Sequence, residues 1–213
     1  MTVAFDPTLY VITDSRVARG RDQIDVIGRA IAGGATMVQL RDKDLSAREQ
    51  YALGVRLRDL TRASNVALIC NDRVDLTLAL DADGVHLGQD DLPPEVARAL
   101  LGPHRIIGVS AGTPAEFAAV DITCVDYLGV GPFAATGSKG GAGAAIGSTG
   151  IAAVRRLTSL PIVAIGGLHR ENAAEAMRAG ANGIAAIAAI VGADDPEAVA
   201  RALRAVVDAS RLR

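Results

Sequence analysis

The chain is poor in the features that would place it in several large classes. It has two cysteines in 213 residues, and neither sits in a CxxC pair or in a His/Cys spacing that suits zinc. Cys70 and Cys124 are therefore expected within strands, as small buried apolar residues. No apolar stretch reaches the roughly 18 to 20 uncharged residues of a membrane span. Residues 1–7 lack the basic start and apolar run of a signal peptide, so a cytoplasmic protein is expected. Charge of one sign is missing too. A net charge of -2 and a pI near 5.9 give no global attraction to nucleic acid or an anionic membrane. No GxGxxG follows the first strand candidate, where Thr13-Asp14-Ser15-Arg16 stands instead, which argues against a doubly wound dinucleotide-binding sheet. A nucleophile with an adjacent base is also absent. His86 falls inside a strand candidate, where a buried, satisfied role is expected, and His104 and His169 read as loop or helix-start residues.

What is present is a core and a rhythm. Half of the residues are hydrophobic, enough to bury one large core, and the span 1–213 is read as a single domain. Short apolar runs at 9–13, 36–40, 66–70, 84–87, 105–109, 127–130, 162–165 and 183–187 read as strands covered on both faces. Helix signals alternate with them. Ser46 with Glu49 makes a capping box, Thr113-Pro114-Ala115-Glu116 adds proline at the first helical position, and Asp194 with Glu197 is expected to start the last helix. Leu53, Leu57 and Leu60 share a helix face, as do Val199, Leu203 and Val206. A weak repeat, Gly33-Gly34-Ala35, Asp81-Ala82-Asp83-Gly84 and Gly180-Ala181-Asn182-Gly183, closes a helix and enters a strand each time. Eight β/α units without a linker are most simply closed into an α/β fold of the (β/α)8 TIM barrel type.

The polar clusters stand just after the strand candidates, so they should converge on one rim, the C-terminal ends of the strands. Asp72 and Asp91 follow the third and fourth strands. Two carboxylates in adjacent loops suit a shared cation, and Mg²⁺ is typically held by one or two carboxylates with water and phosphate oxygens. Helix capping ahead of Val74 and Leu92 is the alternative role for each. Arg41 and Lys43, one residue apart, would lie on one side if that segment stays extended, and Lys139 comes from a later loop. Cations beside a metal imply a polyphosphate. Gly166-Gly167 and Ala186-Ile187-Ala188 mark a second anion site of the kind barrels build after their last two strands. The long Gly- and Ala-rich stretch 131–150, with Thr136, Ser138 and Lys139, reads as a flap.

These residues resemble the thiamine phosphate synthases over nearly the whole chain. The carrying segments are Tyr10-Val11-Ile12-Thr13-Asp14, Val38-Gln39-Leu40-Arg41-Asp42-Lys43, Asn71-Asp72-Arg73 and Asp83-Gly84-Val85-His86-Leu87-Gly88-Gln89-Asp90-Asp91, followed by Ile107-Gly108-Val109-Ser110, Tyr127-Leu128-Gly129-Val130-Gly131-Pro132, Ile165-Gly166-Gly167 and 180–190. The resemblance implies a barrel enzyme that joins a pyrimidine methyl diphosphate to a thiazole phosphate, giving thiamine phosphate and pyrophosphate. It implies magnesium on Asp72 and Asp91. It also implies diphosphate and pyrimidine binding by Gln39, Arg41, Lys43, Asn71, Ser110 and Lys139, with Arg41, Lys43 and Lys139 assisting departure of the diphosphate. Thiazole phosphate binding falls to Thr136, Ser138, Gly167, Ile187 and Ala188. The chain departs from the family pattern at Ala134-Ala135, where an aromatic and a proline are common, at Ser138 for threonine, and at Ala188 for serine. A thiazole tautomerase-like isomerase and a non-catalytic phosphate-binding homologue are the competing readings. Retention of Lys43, Asp72, Asp91 and Lys139 argues against the isomerase.

Overall fold

Eight parallel strands close on themselves in sequence order, with β1 (Leu9–Ile12) hydrogen-bonded to both β2 (Met37–Leu40) and β8 (Gly183–Ala186). Between these lie β3 (Ala67–Asn71), β4 (Gly84–Leu87), β5 (Ile106–Ser110), β6 (Tyr127–Val130) and β7 (Ile162–Ile165). The structure is a computed structural model and describes residues 5–136 and 143–211. The expected (β/α)8 TIM barrel is what the chain forms. Helices follow the strands: α1 (Ser15–Ala18) and α2 (Gln23–Ala32) after β1, α3 (Ala47–Ala63), α4 (Val74–Leu80), α5 (Pro94–Leu101) and α6 (Pro114–Ala118) after β2 to β5. Then come α7 (Gly147–Arg155), α8 (Arg170–Arg178), α9 (Ala188–Val191) and α10 (Pro196–Arg211). No helix among the described residues is long and apolar enough to cross a membrane.

The pleat sorts each strand into two cores, because successive side chains point to opposite faces. Leu9, Val11, Val38, Leu40, Leu68, Cys70, Val85, Leu87, Ile107 and Val109 pack outward against the helices. The other parity, Tyr10, Ile12, Met37, Ala67, Ile69, Ile106, Tyr127, Val163 and Ala185, fills the barrel, with Phe5 and Ile187 packed against it. Gln39, Asn71, His86 and Ser110 share this inward parity and lie above the apolar layers.

The repeat seen in the sequence has a structural cause at the opposite, N-terminal end. Residues just ahead of even-numbered strands accept from a backbone N–H at the start of the preceding strand: Thr36 Oγ1 from Leu9 (3.0 Å), Asp83 Oδ2 from Leu68 (2.8 Å), Asp126 Oδ2 from Ile107 (2.7 Å) and Asn182 Oδ1 from Ile162 (2.9 Å). Each side chain satisfies a donor that the short ladder leaves open. The positive-φ turn before β2, β8 and β4 falls to Gly34, Gly180 and Asp81 respectively (φ 104°, 108° and 51°).

Caps form largely where expected. Ser46 and Glu49 make a reciprocal capping box on α3, and Thr113 accepts from Glu116 N at α6. The last helix differs: it begins at Pro196, and Asp195 rather than Asp194 accepts from Ala198 N. Cys124 also differs from expectation. It closes a 3-10 turn (Ile122–Cys124) and is half-buried, whereas Cys70 lies buried in β3.

Candidate active site

The rim at the strands' C-terminal ends is built around a buried ion pair. Arg41, just past β2 and 6% exposed, donates from Nη1 to Asp14 Oδ2 at 3.1 Å. Asp14, just past β1 and 3% exposed, uses its other oxygen to cap α1, accepting from Arg16 N and Val17 N. One carboxylate thus anchors a helix start and aims a guanidinium. Thr13 Oγ1 joins the same two loops by accepting from Arg41 N (2.9 Å) and donating to Arg41 O (3.0 Å). Buried Asp42 accepts from Ser15 N (2.9 Å) and Asp44 N (3.2 Å). The strand ladder stops at Leu40 and the chain bends at Lys43. Arg41 turns inward while Lys43 is exposed, so the two cations do not continue one extended face.

Asp72 and Asp91 come from neighbouring strands. Asp72 follows β3, and its N–H extends the β3–β4 ladder by donating to His86 O (2.8 Å). Its φ of 63° is left-handed, a conformation aspartate tolerates better than most residues and one that concentrates at functional turns. The turn is closed by Arg73 N donating to Asn71 O at 2.7 Å. Helix α4 takes Arg73 as its N-cap with no side-chain cap bond. Asp91 folds back to the end of β4, where Oδ2 accepts from Gly88 N at 2.6 Å, and α5 begins after Pro93. Neither aspartate is the N-cap residue of the helix that follows. Among the described residues no group of three or more His, Cys, Asp or Glu side chains could hold a metal. Two carboxylates are nevertheless the donor set that magnesium takes when a phosphate supplies further oxygens.

Inside the barrel a polar chain crosses from β2 to β5. Gln39 Nε2 donates to Tyr10 Oη (2.7 Å), Tyr127 Oη donates to Tyr10 Oη (3.3 Å), and His86 bonds Tyr127 Oη through Nδ1 and Ser110 Oγ through Nε2, both at 3.0 Å. Burial pushes the phenols of Tyr10 and Tyr127 above their ordinary range, so both keep their protons. His86 has the satisfied position expected of it. Tyr10, Tyr127 and Asp14 were not singled out from the sequence, although Asp14 stands directly after a strand like every other polar cluster. The two tyrosines could have been found from their inward parity.

At the far side of the rim the loops after β6 and β7 lie against each other. Phe133 N donates to Ile165 O (2.8 Å) and Ala134 N to Gly166 O (2.9 Å). A Cβ on Gly166 would stand 2.7 Å from Pro132 Cβ, and one on Gly167 would stand 2.8 Å from the carbonyl oxygens of Ala134 and Ala135. With φ of 91° and 64°, the pair has both the conformation and the clearance that only glycine allows. Asn172 Nδ2 holds Gly167 O at 2.9 Å. Ile187 is the N-cap of the short α9, and Ala188 is its first, exposed residue. Thr136 is the last described residue before 137–142; Ser138 and Lys139 lie outside the described residues.

The thiamine monophosphate synthase family model matches residues 9–190, from β1 through α9. The chain belongs to that family. Its relatives include the thiamine-phosphate synthase of Xanthobacter autotrophicus, 53% identical over 211 residues and covering 99% of this chain and 100% of the relative. That of Moorella thermoacetica is 50% identical over 203 residues, 95% of this chain and 97% of the relative. A solved thiamine phosphate pyrophosphorylase from Pyrococcus furiosus superposes with a TM-score of 0.86 at 38% identity, covering 96% of each chain. The barrel rim at the strands' C-terminal ends is the candidate site. A surface groove of about 600 Å³ between Ser148, Arg156, Glu175 and Arg178 lies outside it, on the helices.

Proposed function

We propose that this chain condenses 4-amino-2-methyl-5-(diphosphooxymethyl)pyrimidine with 4-methyl-5-(2-phosphooxyethyl)thiazole, giving thiamine phosphate and pyrophosphate, at the rim described above. The observation that carries the reading is the inward-turned Arg41, fixed by Asp14 beside the loops that bear Asp72 and Asp91. Arg41 and Lys43, with Lys139 of the segment between β6 and α7, bind the diphosphate. Asn71 and Gln39 line the pyrimidine side together with Ser110. Asp72 and Asp91 would hold Mg²⁺, which would supply positive charge to offset that of the departing diphosphate. The C–O bond to the diphosphate breaks with its electron pair leaving on oxygen, the methylene carbon gains positive charge, and the thiazole nitrogen lone pair forms the new C–N bond. Catalysis of this kind is positioning plus electrostatic stabilisation, which accounts for a site with cations and carboxylates but no nucleophile–base pair. The thiazole phosphate meets the Gly166-Gly167 turn and the start of α9, through backbone at Gly167, Ile187 and Ala188, with Thr136 and Ser138 of the segment between β6 and α7.

Incubation of the pure protein with both substrates and Mg²⁺ tests this directly. Thiamine phosphate and pyrophosphate are expected in equal amounts, and verified substrates that yield neither would refute the reading. Asp91→Asn is expected to remove most magnesium-dependent turnover while leaving the fold intact. Unchanged rates at limiting Mg²⁺ would take Asp91 out of the metal site.

A further inference from the structure

Two helices of the rim, α1 after β1 and α9 after β8, are only four residues long, and one arginine ties them together. A single helical turn is not stable by itself, so its backbone stands where its neighbours hold it. Arg21, half-buried beyond the end of α1, donates from Nε to Ala18 O at 3.0 Å, from Nη1 to Ala193 O at 2.5 Å and from Nη2 to Val191 O. All three guanidinium nitrogens are thus given to main-chain carbonyls at the ends of the two helices. Arg19 adds a bond from Nη2 to Gly192 O. The packing between the helices is close. A Cβ on Gly192 would stand 2.6 Å from Ala188 O and 3.4 Å from Val17 Cγ1 of α1.

The residues that these arginines hold are bonded directly to the first turn of α9. Val191 N donates to Ile187 O at 2.8 Å, and Gly192 N to Ala188 O at 3.0 Å. Ile187 and Ala188 have no polar side-chain atom, so they can meet a phosphate only through backbone, and what they contribute depends on where that backbone stands. α1 is itself fixed at its start, where Asp14 accepts from Arg16 N and Val17 N and Asp42 Oδ2 accepts from Ser15 N at 2.9 Å. We propose that Arg21, assisted by Arg19, is a positioning residue for the thiazole phosphate: by tying α9 to α1 it sets the backbone of Ile187 and Ala188. The inference rests on the thiazole half of the function proposed above. Arg21 does not touch the substrate, because its donors are engaged at the opposite end of α9. Ile190 and Val191 are buried, so α9 stays seated in the core without the arginine and loses its exact placement.

Steady-state kinetics on the parent, Arg21→Lys and Arg21→Ala test this, with each substrate varied at saturation of the other. For Arg21→Ala the KM for the thiazole phosphate is expected to rise roughly tenfold, the worth of one charge-assisted hydrogen bond, while that for the pyrimidine diphosphate stays within about twofold. Arg21→Lys should fall between the two, since an ammonium keeps the charge but cannot fork to carbonyls as a guanidinium does. The thiazole alcohol, 4-methyl-5-(2-hydroxyethyl)thiazole, serves as a competitive inhibitor that lacks the phosphate, and its inhibition constant is expected to stay at the parent value. A merely structural role would not separate these readings. An unchanged KM for the thiazole phosphate in folded variants, an equal rise in both KM values, or a rise shared by the alcohol overturns the proposal. If neither Arg21 variant folds, Arg19→Ala supplies the same comparison, and an unchanged KM there overturns it equally. Any of these results in an enzyme whose parent makes thiamine phosphate refutes this inference alone. A parent that makes no thiamine phosphate from verified substrates refutes the functional reading beneath it.

Discussion

Asp14 shows how much one side chain can do at this rim. Its two oxygens serve different masters: one caps α1, the other neutralises Arg41 in a nearly solvent-free position. Removing one partner of a buried pair costs about 3 to 5 kcal/mol, because the remaining charge stays buried without compensation. Asp14→Asn keeps a carbonyl oxygen for the cap and removes only the charge. The variant is expected to melt lower by an amount equivalent to about 3 kcal/mol, and to regain more stability than the parent when pyrophosphate and Mg²⁺ are added, since the ligand brings the missing negative charge. Thermal melts with and without ligand check this. An unchanged melting temperature without ligand would show that Arg41 does not depend on Asp14. Such a residue is hard to find in a sequence, because nothing in Thr13-Asp14-Ser15 distinguishes a capping aspartate from one that also holds a cation 27 residues later.

Two helical glycines give opposite forecasts at the scale of the element. Gly28 lies in α2, and a Cβ there would meet only Leu60 Cδ1 at 3.9 Å, ordinary contact. Gly54 lies in α3, where a Cβ would stand 2.4 Å from Leu80 Cδ1 and 3.0 Å from Leu40 Cδ2, both side chains fully or almost fully buried. Alanine is favoured over glycine in a helix by roughly 0.5 to 1 kcal/mol, whereas overpacking a core costs about 1 to 3 kcal/mol. Gly28→Ala should therefore stabilise and Gly54→Ala destabilise, as read from urea midpoints at constant slope; stabilisation by both would mean that α3 packs less closely than described. Helix placement was legible in the sequence through caps and apolar spacing, because those signals are local. The last helix start moved from Asp194 to Asp195 because either aspartate precedes Pro196 closely enough to cap. The inward turn of Arg41 was not legible, since it rests on an ion pair with Asp14 of the loop after the neighbouring strand, 27 residues earlier.

Across the whole molecule the closed sheet is what makes the sequence legible. Strands buried on both faces read as apolar runs, and their C-terminal ends collect the polar residues at one rim, so Gln39, Arg41, Asn71, Asp72, Asp91 and Ser110 could be named as a group. What the sequence hid is the interior polar chain, because Tyr10 and Tyr127 look like ordinary core residues until closure brings β1 and β6 within hydrogen-bond reach. Closure at the opposite end is reinforced by Asp81, which pairs with Arg62 of α3 and with Arg105 ahead of β5, both at 2.7 Å. The hydrogen bond from Arg62, first, and the charges of both arginines hold its carboxyl below the usual range. A depressed carboxylate contributes stability above its unfolded value near 3.8 and loses it as pH falls through the folded value. Asp81→Asn, which tolerates the same left-handed backbone, should cost below about 1 kcal/mol at pH 7 for so exposed a pair, and nothing in strong acid. A cost that persisted in acid would assign it to the backbone instead.

In the proposed function the loops after β2, β3 and β4 grip one diphosphate, and Asp72 and Asp91 share a divalent ion. A crystal structure of the protein with pyrophosphate and Mg²⁺ tests this. Density for one metal ion is expected between the two carboxylates and the pyrophosphate, with Arg41 on the phosphate oxygens. Carboxylates pointing apart with no density between them, or pyrophosphate bound elsewhere, would contradict it.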